Sequence, residues 1–159
     1  MNSIKAQKSS LPRPIECALA FGLLAGLSPV LIVSGLLVRL SSPGPILFRQ
    51  RRVGRFGEEF LMFKFRTMYV TTGGAYVTSA CDNRITPIGR FLRKWKLDEL
   101  PEIFNILVGD MSFVGPRPEV PELVDLTNPD WQRVLLSRPG VTDPITLILR
   151  NEEDVLATV

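Results

Sequence analysis

Asp98 and Glu99 stand side by side at the head of "KLDELPEIFNILVGDMSFVGPRPE" (96–119), ahead of an apolar run and the stiff basic turn Gly115-Pro116-Arg117-Pro118. The chain contains no histidine, which excludes Ser-His and Cys-His nucleophile arrangements. Its two cysteines, Cys17 in an apolar run and Cys81 in a polar one, support neither a tetrahedral zinc site nor a disulfide framework, and they favour a reducing compartment. Catalysis in this chain therefore runs on carboxylates, Lys, Arg, hydroxyls or a hard metal ion.

Two adjacent carboxylates beside arginines can hold a divalent cation and a phosphate together. One carboxylate can attack phosphorus to form an acyl phosphate while the cation neutralises the leaving oxygens. Arg93, one turn earlier, and Arg117, in the proline-stiffened turn, could converge on the same helix N-terminus, itself an anion site. A plainer reading is complete in itself. Asp98 caps the helix, Glu99 complements its dipole, Pro101 sits in the first turn, and Ile103, Phe104, Ile106 and Leu107 form the buried stripe.

The elements that must carry these residues are legible on either side. In "TPIGRFLRKWK", Thr86 can cap a short helix with Pro87 at its opening position. Ile88, Phe91, Leu92 and Trp95 recur there at helical spacing, with Arg90, Arg93, Lys94 and Lys96 on the other face. Upstream, Ile46 to Phe48 and Phe60 to Arg66 read as two strands of a hairpin turning near Gly54 and Gly57. Leu61, Phe63 and Phe65 then alternate with Met62, Lys64 and Arg66, which puts Lys64 and Arg66 on one face, where two cations suit a diphosphate. The alternative is a solvated basic face resting on anionic lipid headgroups. A nucleic-acid surface is disfavoured, because the aromatics alternate like core residues and form no stacking platform. Thr71 to Asn83 reads as a loop.

No charged residue occurs from Cys17 to Val38, a stretch long enough for a membrane helix of about 20 residues. Ser28-Pro29 falls near its centre, so the helix bends or breaks there. Lys5, Lys8 and Arg13 precede the segment and Arg39, Arg49, Arg51, Arg52 and Arg55 follow it. Positive charge on both flanks suits a hairpin with both ends on one face of a bilayer; a kinked span and a buried core helix are the other readings. The 159 residues, 22% charged and 45% hydrophobic, are those of one modest folded domain with an appendage. The excess of 19 basic over 16 acidic residues is concentrated in 39–66 and 84–96, where it favours phosphate or anionic-lipid partners.

Taken together, "KFRTM", "GRFLRKWKLDELPEIFNILVGDMSFVGPRP" and "RPGVT" closely resemble the bacterial sugar transferase family, the monotopic phosphoglycosyl transferases, over roughly Pro12 to Thr142. The resemblance implies an enzyme that moves a sugar-1-phosphate from a UDP-sugar to a polyprenyl (undecaprenyl) phosphate with release of UMP, starting surface polysaccharide or glycoconjugate assembly. By that likeness Asp98 is the nucleophile that carries a covalent phosphosugar, and Glu99, with Asp98, holds Mg²⁺. Arg93, Arg117, Lys64, Arg66 and Thr67 engage phosphate. Ser28 and Pro29 are the break of a re-entrant membrane helix.

The implied fold is α/β: residues 1–40 carry the helix-break-helix, and 41–159 form a cytosolic catalytic domain of short helices with a small β-hairpin or sheet. The implied location is monotopic on the bacterial inner (cytoplasmic) membrane, with the catalytic domain facing the cytoplasm. The implied partners are UDP-sugar, polyprenyl phosphate and membrane lipid, without nucleic acid, and self-association is compatible with the pattern. A catalytically inactive membrane-anchored scaffold on the same fold, or a basic lipid-binding protein, is the competing reading.

Two departures stand out. Many relatives open the membrane helix with Lys/Arg-Arg-x-x-Asp, where this chain has "PRPIE" with Glu16 at the acidic position. After "PGVT" many continue Gly-x-Ala-Gln-Val-x-Gly-Arg, near the sugar nucleotide in the family, where this chain reads "DPITLILRNEEDVLATV". Against relatives with a further helical stretch, the end at Val159 reads as a shortened C-terminus.

Overall fold

A computed structural model describes residues 11–70 and 83–143. Lys5, Lys8, Cys81, most of the predicted 71–83 loop and the divergent tail lie outside the described residues. The apolar segment forms two helices, α1 (Arg13–Gly26) and α2 (Ser28–Ser41), bent by 61° at Leu27. The break follows from Pro29. Its ring nitrogen cannot donate to the carbonyl of Ala25, and the Ser28 hydroxyl donates to that carbonyl instead at 2.7 Å. Neither helix alone is long and apolar enough to cross a membrane, whereas the bent pair passes that test by length and composition. Phe21, Ile32, Val33, Leu36 and Leu40 are exposed along it.

The basic middle folds as the expected hairpin, with β1 (Leu47–Val53) antiparallel to β2 (Glu59–Phe65) and Leu47 opposite Phe65. β1 runs five residues beyond the expected end at Phe48, because Arg49, Arg51 and Arg52 keep pairing while their long side chains reach solvent or neighbouring loops. The next elements are α3 (Pro87–Lys94), a short helical turn over Leu97–Glu99, and α4 (Glu102–Val108). β3 (Ser112–Val114) then pairs in parallel with β4 (Gly140–Thr142), with α5 (Pro129–Val134) in the connection. This mixture of short helices and two small sheets is the α/β architecture expected.

Two apolar clusters hold the elements, and α1 and α2 each enter one of them. Ala20 of α1 joins Met62 of β2, Ile103 and Ile106 of α4, and Met111. Val38 of α2 joins Phe65 and Leu92, with Ile88 and Leu97 packed beside them. Thr86 caps α3 as expected, its Oγ1 accepting from the Gly89 amide at 2.8 Å. A Cβ at Gly89 would meet the Thr67 carbonyl, so glycine lets α3 lie directly on the segment that follows β2.

That close seating corrects the expected stripe. Leu92 is fully buried, but Phe91 and Trp95 are 50% and 63% exposed, because so short a helix buries only the row containing Ile88 and Leu92. Phe104 is likewise exposed, while Ile103 and Ile106 face the core.

Asn105, fully buried, binds α4 to β2. Its Oδ1 accepts from the Phe63 amide, and its Nδ2 donates to the Leu61 carbonyl at 2.7 Å. One side chain thus completes backbone groups at the free edge of β2, as a neighbouring strand would.

Candidate active site

The chain reaches the carboxylate pair through Lys96, a non-glycine residue with φ of 55°, in the left-handed region that costs a side chain free energy. This reversal ends α3 and starts the Leu97–Glu99 turn. Asp98 therefore does not cap α4. Pro101 occupies the cap position, and no side chain caps that helix. The N-cap expectation fails because the helical path already runs through Leu97–Glu99 and Leu100, so Asp98 lies inside a turn rather than ahead of one.

Asp98 is buried, and its Oδ1 makes no hydrogen bond. Burial, then the neighbouring Glu99 charge, raises its pKa above its ordinary value; Lys64 and Arg93 oppose the shift. Glu99 goes the other way. Burial alone would raise it, but the Lys64 charge and hydrogen bond, with Arg117 and Lys96 beyond, hold it below its ordinary value. Lys64 Nζ lies 2.8 Å from Glu99 Oε1 and 3.1 Å from Glu102 Oε1, and Arg117 Nη2 lies 3.6 Å from the same Glu99 oxygen.

Arg93 donates through Nε to the Thr67 hydroxyl at 2.9 Å and contributes to the field at Asp98. Asp98, Glu99, Lys64, Arg93, Thr67 and Arg117 are thus brought into one neighbourhood. Arg66 is not. One residue past the end of β2 the chain turns, and its guanidinium donates to the Ser42 carbonyl at 2.6 Å, the Ser42 hydroxyl and the Pro43 carbonyl at the end of α2. The expected shared face of Lys64 and Arg66 is replaced by one cation at the carboxylates and one stitching the end of α2 to the sheet.

The Gly115–Pro118 turn that carries Arg117 is pinned by "RPGVT". The Gly140 amide donates to the Pro116 carbonyl and the Gly115 amide to the Thr142 carbonyl. A Cβ on Gly115 or Gly140 would strike the opposing backbone. The two motifs belong together because their backbones touch.

Glu102 was not foreseen. It is 3% exposed, and burial drives its pKa up to about 7 despite Lys64. Its position three residues after Glu99 was a usable signal, since that spacing returns to the same side of a helical path. Asn105 carried no signal beyond being polar within an apolar run.

Among the described residues no group of three acidic or cysteine side chains converges on a metal position. The donor set, two adjacent carboxylates with one buried oxygen unpartnered, fits a hard divalent ion that keeps waters and takes its other ligands from phosphate. It does not fit a closed protein cage.

The sequence model described as "Bacterial sugar transferase" matches residues 7–157. The UDP-glucose:undecaprenyl-phosphate glucose-1-phosphate transferase of Xanthomonas campestris pv. campestris is 48% identical over 126 residues, covering 75% of this chain and 26% of the relative. The protein of the same name from Escherichia coli (strain K12) is 48% identical over 110 residues, 68% of this chain and 24% of the relative. The UDP-N-acetylgalactosamine-undecaprenyl-phosphate N-acetylgalactosaminephosphotransferase of Aeromonas hydrophila is 38% identical over 147 residues, 84% of this chain and 35% of the relative. The chain thus spans only a minor part of the length of these three relatives.

Proposed function

Because the chain belongs to the bacterial sugar transferase family, we propose that it transfers a sugar-1-phosphate from a UDP-sugar to undecaprenyl phosphate, releasing UMP, at a membrane surface. The observation that carries this reading is the buried Asp98, with an oxygen free of hydrogen bonds, set among Lys64, Glu99 and Arg93.

In the proposed first step an Asp98 carboxylate oxygen attacks the phosphorus that bears the sugar. The bond from that phosphorus to the bridging oxygen breaks, and UMP leaves with the electron pair. In the second step a phosphate oxygen of the lipid attacks the same phosphorus, and the acyl-phosphate bond breaks to return the Asp98 carboxylate. One cationic pocket then serves the soluble donor and the lipid acceptor in turn. Arg117, half-exposed beside Glu99, and Arg93, held by Thr67, supply positive charge where phosphate oxygens gain negative charge. Lys64 keeps Glu99 ionised, so that the dyad offers one stable carboxylate beside the attacking one. Glu99 and Asp98 would hold Mg²⁺, which supplies charge neutralisation for the leaving diphosphate oxygen.

The exposed apolar faces of α1 and α2 support a membrane-seated hairpin, with both its ends on the side of the catalytic residues. The names of the relatives carry both glucose and N-acetylgalactosamine, so the proposal stands at the level of UDP-sugars.

The test is UMP release from a panel of UDP-sugars with Mg²⁺, with and without undecaprenyl phosphate. Multiple turnover with the lipid, and no more than one equivalent without it, is the expected result. Folded, bilayer-bound protein that releases no UMP from any donor overturns the reading.

A further inference from the structure

Glu16 is 1% exposed at the start of a helix that carries no other charge after it, and the catalytic proposal gives it no role. A carboxylate so buried requires a cation. Arg13 Nη1 lies 3.6 Å from Glu16 Oε2, and Arg13 Nη2 donates at 3.0 Å to the carbonyl of Leu107, in the last turn of α4. That carbonyl is one of the groups a helix C-terminus leaves without an internal partner. A Cβ on Gly109, just past α4, would lie 3.1 Å from the same guanidinium nitrogen, so the arginine seats directly on the helix end.

α1 and α4 also share an apolar contact, through Ala20, Ile103 and Ile106. Apolar contact is non-directional and leaves sliding and rotation weakly specified. Arg13 and Glu16 add a directional point, and α4 spans only seven residues from there back to Glu102, with Glu99 three residues earlier. A shift at the Arg13 end is thereby passed along α4 to the Leu100–Pro101 link and the turn that carries the dyad.

We propose that Arg13 and Glu16 form a positioning clamp that registers the N-terminal hairpin on α4 and so aligns Asp98 and Glu99. The inference rests on the catalytic reading given above. Seating of the hairpin in a bilayer and alignment of the dyad become one event, which ties catalysis to membrane attachment through the fold rather than through substrate alone. Arg13 Nη1 and Glu16 Oε2 make no hydrogen bond although buried, so the pair acts through charge. Glu16→Gln removes the charge while keeping the shape.

The experiment uses the full chain in phospholipid nanodiscs with UDP-glucose and UDP-N-acetylgalactosamine as donors. It reads the acceptor-free UMP burst, the donor KM and bilayer retention for wild type, Glu16→Gln, Arg13→Gln and Arg13→Lys. The burst rate is expected to fall by about 10- to 100-fold in both Gln variants, as expected for a misplaced reacting group. Donor KM should stay within about twofold and Arg13→Lys should recover part of the rate. An unchanged burst, or a loss explained by release from the bilayer, overturns the clamp.

Backbone hydrogen exchange over residues 97–103 gives a reading that does not need turnover. Faster exchange there in folded Glu16→Gln supports the clamp, and wild-type exchange rates refute it. A wild-type protein without any UMP burst would refute the catalytic reading and leave this exchange measurement to decide the clamp.

Discussion

Lys64 Nζ stands 2.8 Å from Glu99 Oε1, and this contact separates the behaviour of two consecutive carboxylates. Glu99 is held ionised by it, while Asp98, without a hydrogen bond at Oδ1, is pushed up by burial and by the Glu99 charge. Lys64→Met therefore removes the cation shared by Glu99 and Glu102. Leaving buried carboxylates uncompensated costs about 3 kcal/mol, to be read by urea titration. A loss below roughly 1 kcal/mol, the level of a surface pair, would contradict the arrangement.

Asp98→Asn keeps the size of the side chain and removes the attacking carboxylate. Turnover should drop on the order of 10³-fold or more, with no labelled phosphosugar retained on the protein. Bilayer retention should be unchanged, since the exposed apolar residues that would meet lipid lie on α1 and α2. Full residual activity would eliminate Asp98 as nucleophile.

Glu102 gives a defined pH dependence of stability. Its carboxyl has an ordinary pKa of 4.5 and one of about 7 in the fold. Between these values the native state holds a proton that the unfolded chain has released. The contribution is then complete below pH 4.5, declines as pH rises, and is gone above about 7. Glu102→Gln should flatten that decline in denaturant titrations across the interval. Glu99, shifted downward, has the opposite sign: its contribution is present above 4.5 and is lost as pH falls through the folded value.

The Ser28 hydroxyl replaces the amide that Pro29 lacks at the Ala25 carbonyl. Ser28→Ala should cost about 1 kcal/mol of hairpin stability. Pro29→Ala should restore a straighter helix, visible as a longer distance between spin labels placed at Phe21 and Leu36. Persistence of the 61° bend in that variant would assign it to packing against α4 and β2 instead of to proline.

Asn105→Ala strips the Phe63 amide and the Leu61 carbonyl of their partners and should destabilise the fold by about 2–6 kcal/mol, at about 1–3 per orphaned buried group. Thermal unfolding with and without the variant measures this directly.

Much of the architecture was legible because it depends on near neighbours. Pro29 fixes a break wherever it sits in a helix, Thr86 with Pro87 marks a start, and alternation over 60–66 marks a strand. The misreadings arose where a long-range partner decided. Phe91, Trp95 and Phe104 have core-like spacing but lie on rows for which the fold supplies no covering element. Arg66 shares strand parity with Lys64, yet the carbonyls of Ser42 and Pro43 lie within its reach. Asp98 carries the signature of a cap, and the left-handed Lys96 starts the turn before it.

The sequence by itself determined which chemistry was open: without histidine and with separated cysteines, carboxylates, Lys, Arg, hydroxyls or a hard metal ion remained, in motifs that belong to one family. Tertiary structure alone decided which cation faces which carboxylate. Residues 64, 99, 102 and 117 meet only once β2, α4 and the Gly115–Pro118 turn are packed, and burial there sets the opposed ionisation of Asp98 and Glu99. Local sequence encodes backbone preference over a few residues, whereas charge pairing and desolvation depend on whatever the whole fold brings within a few ångströms.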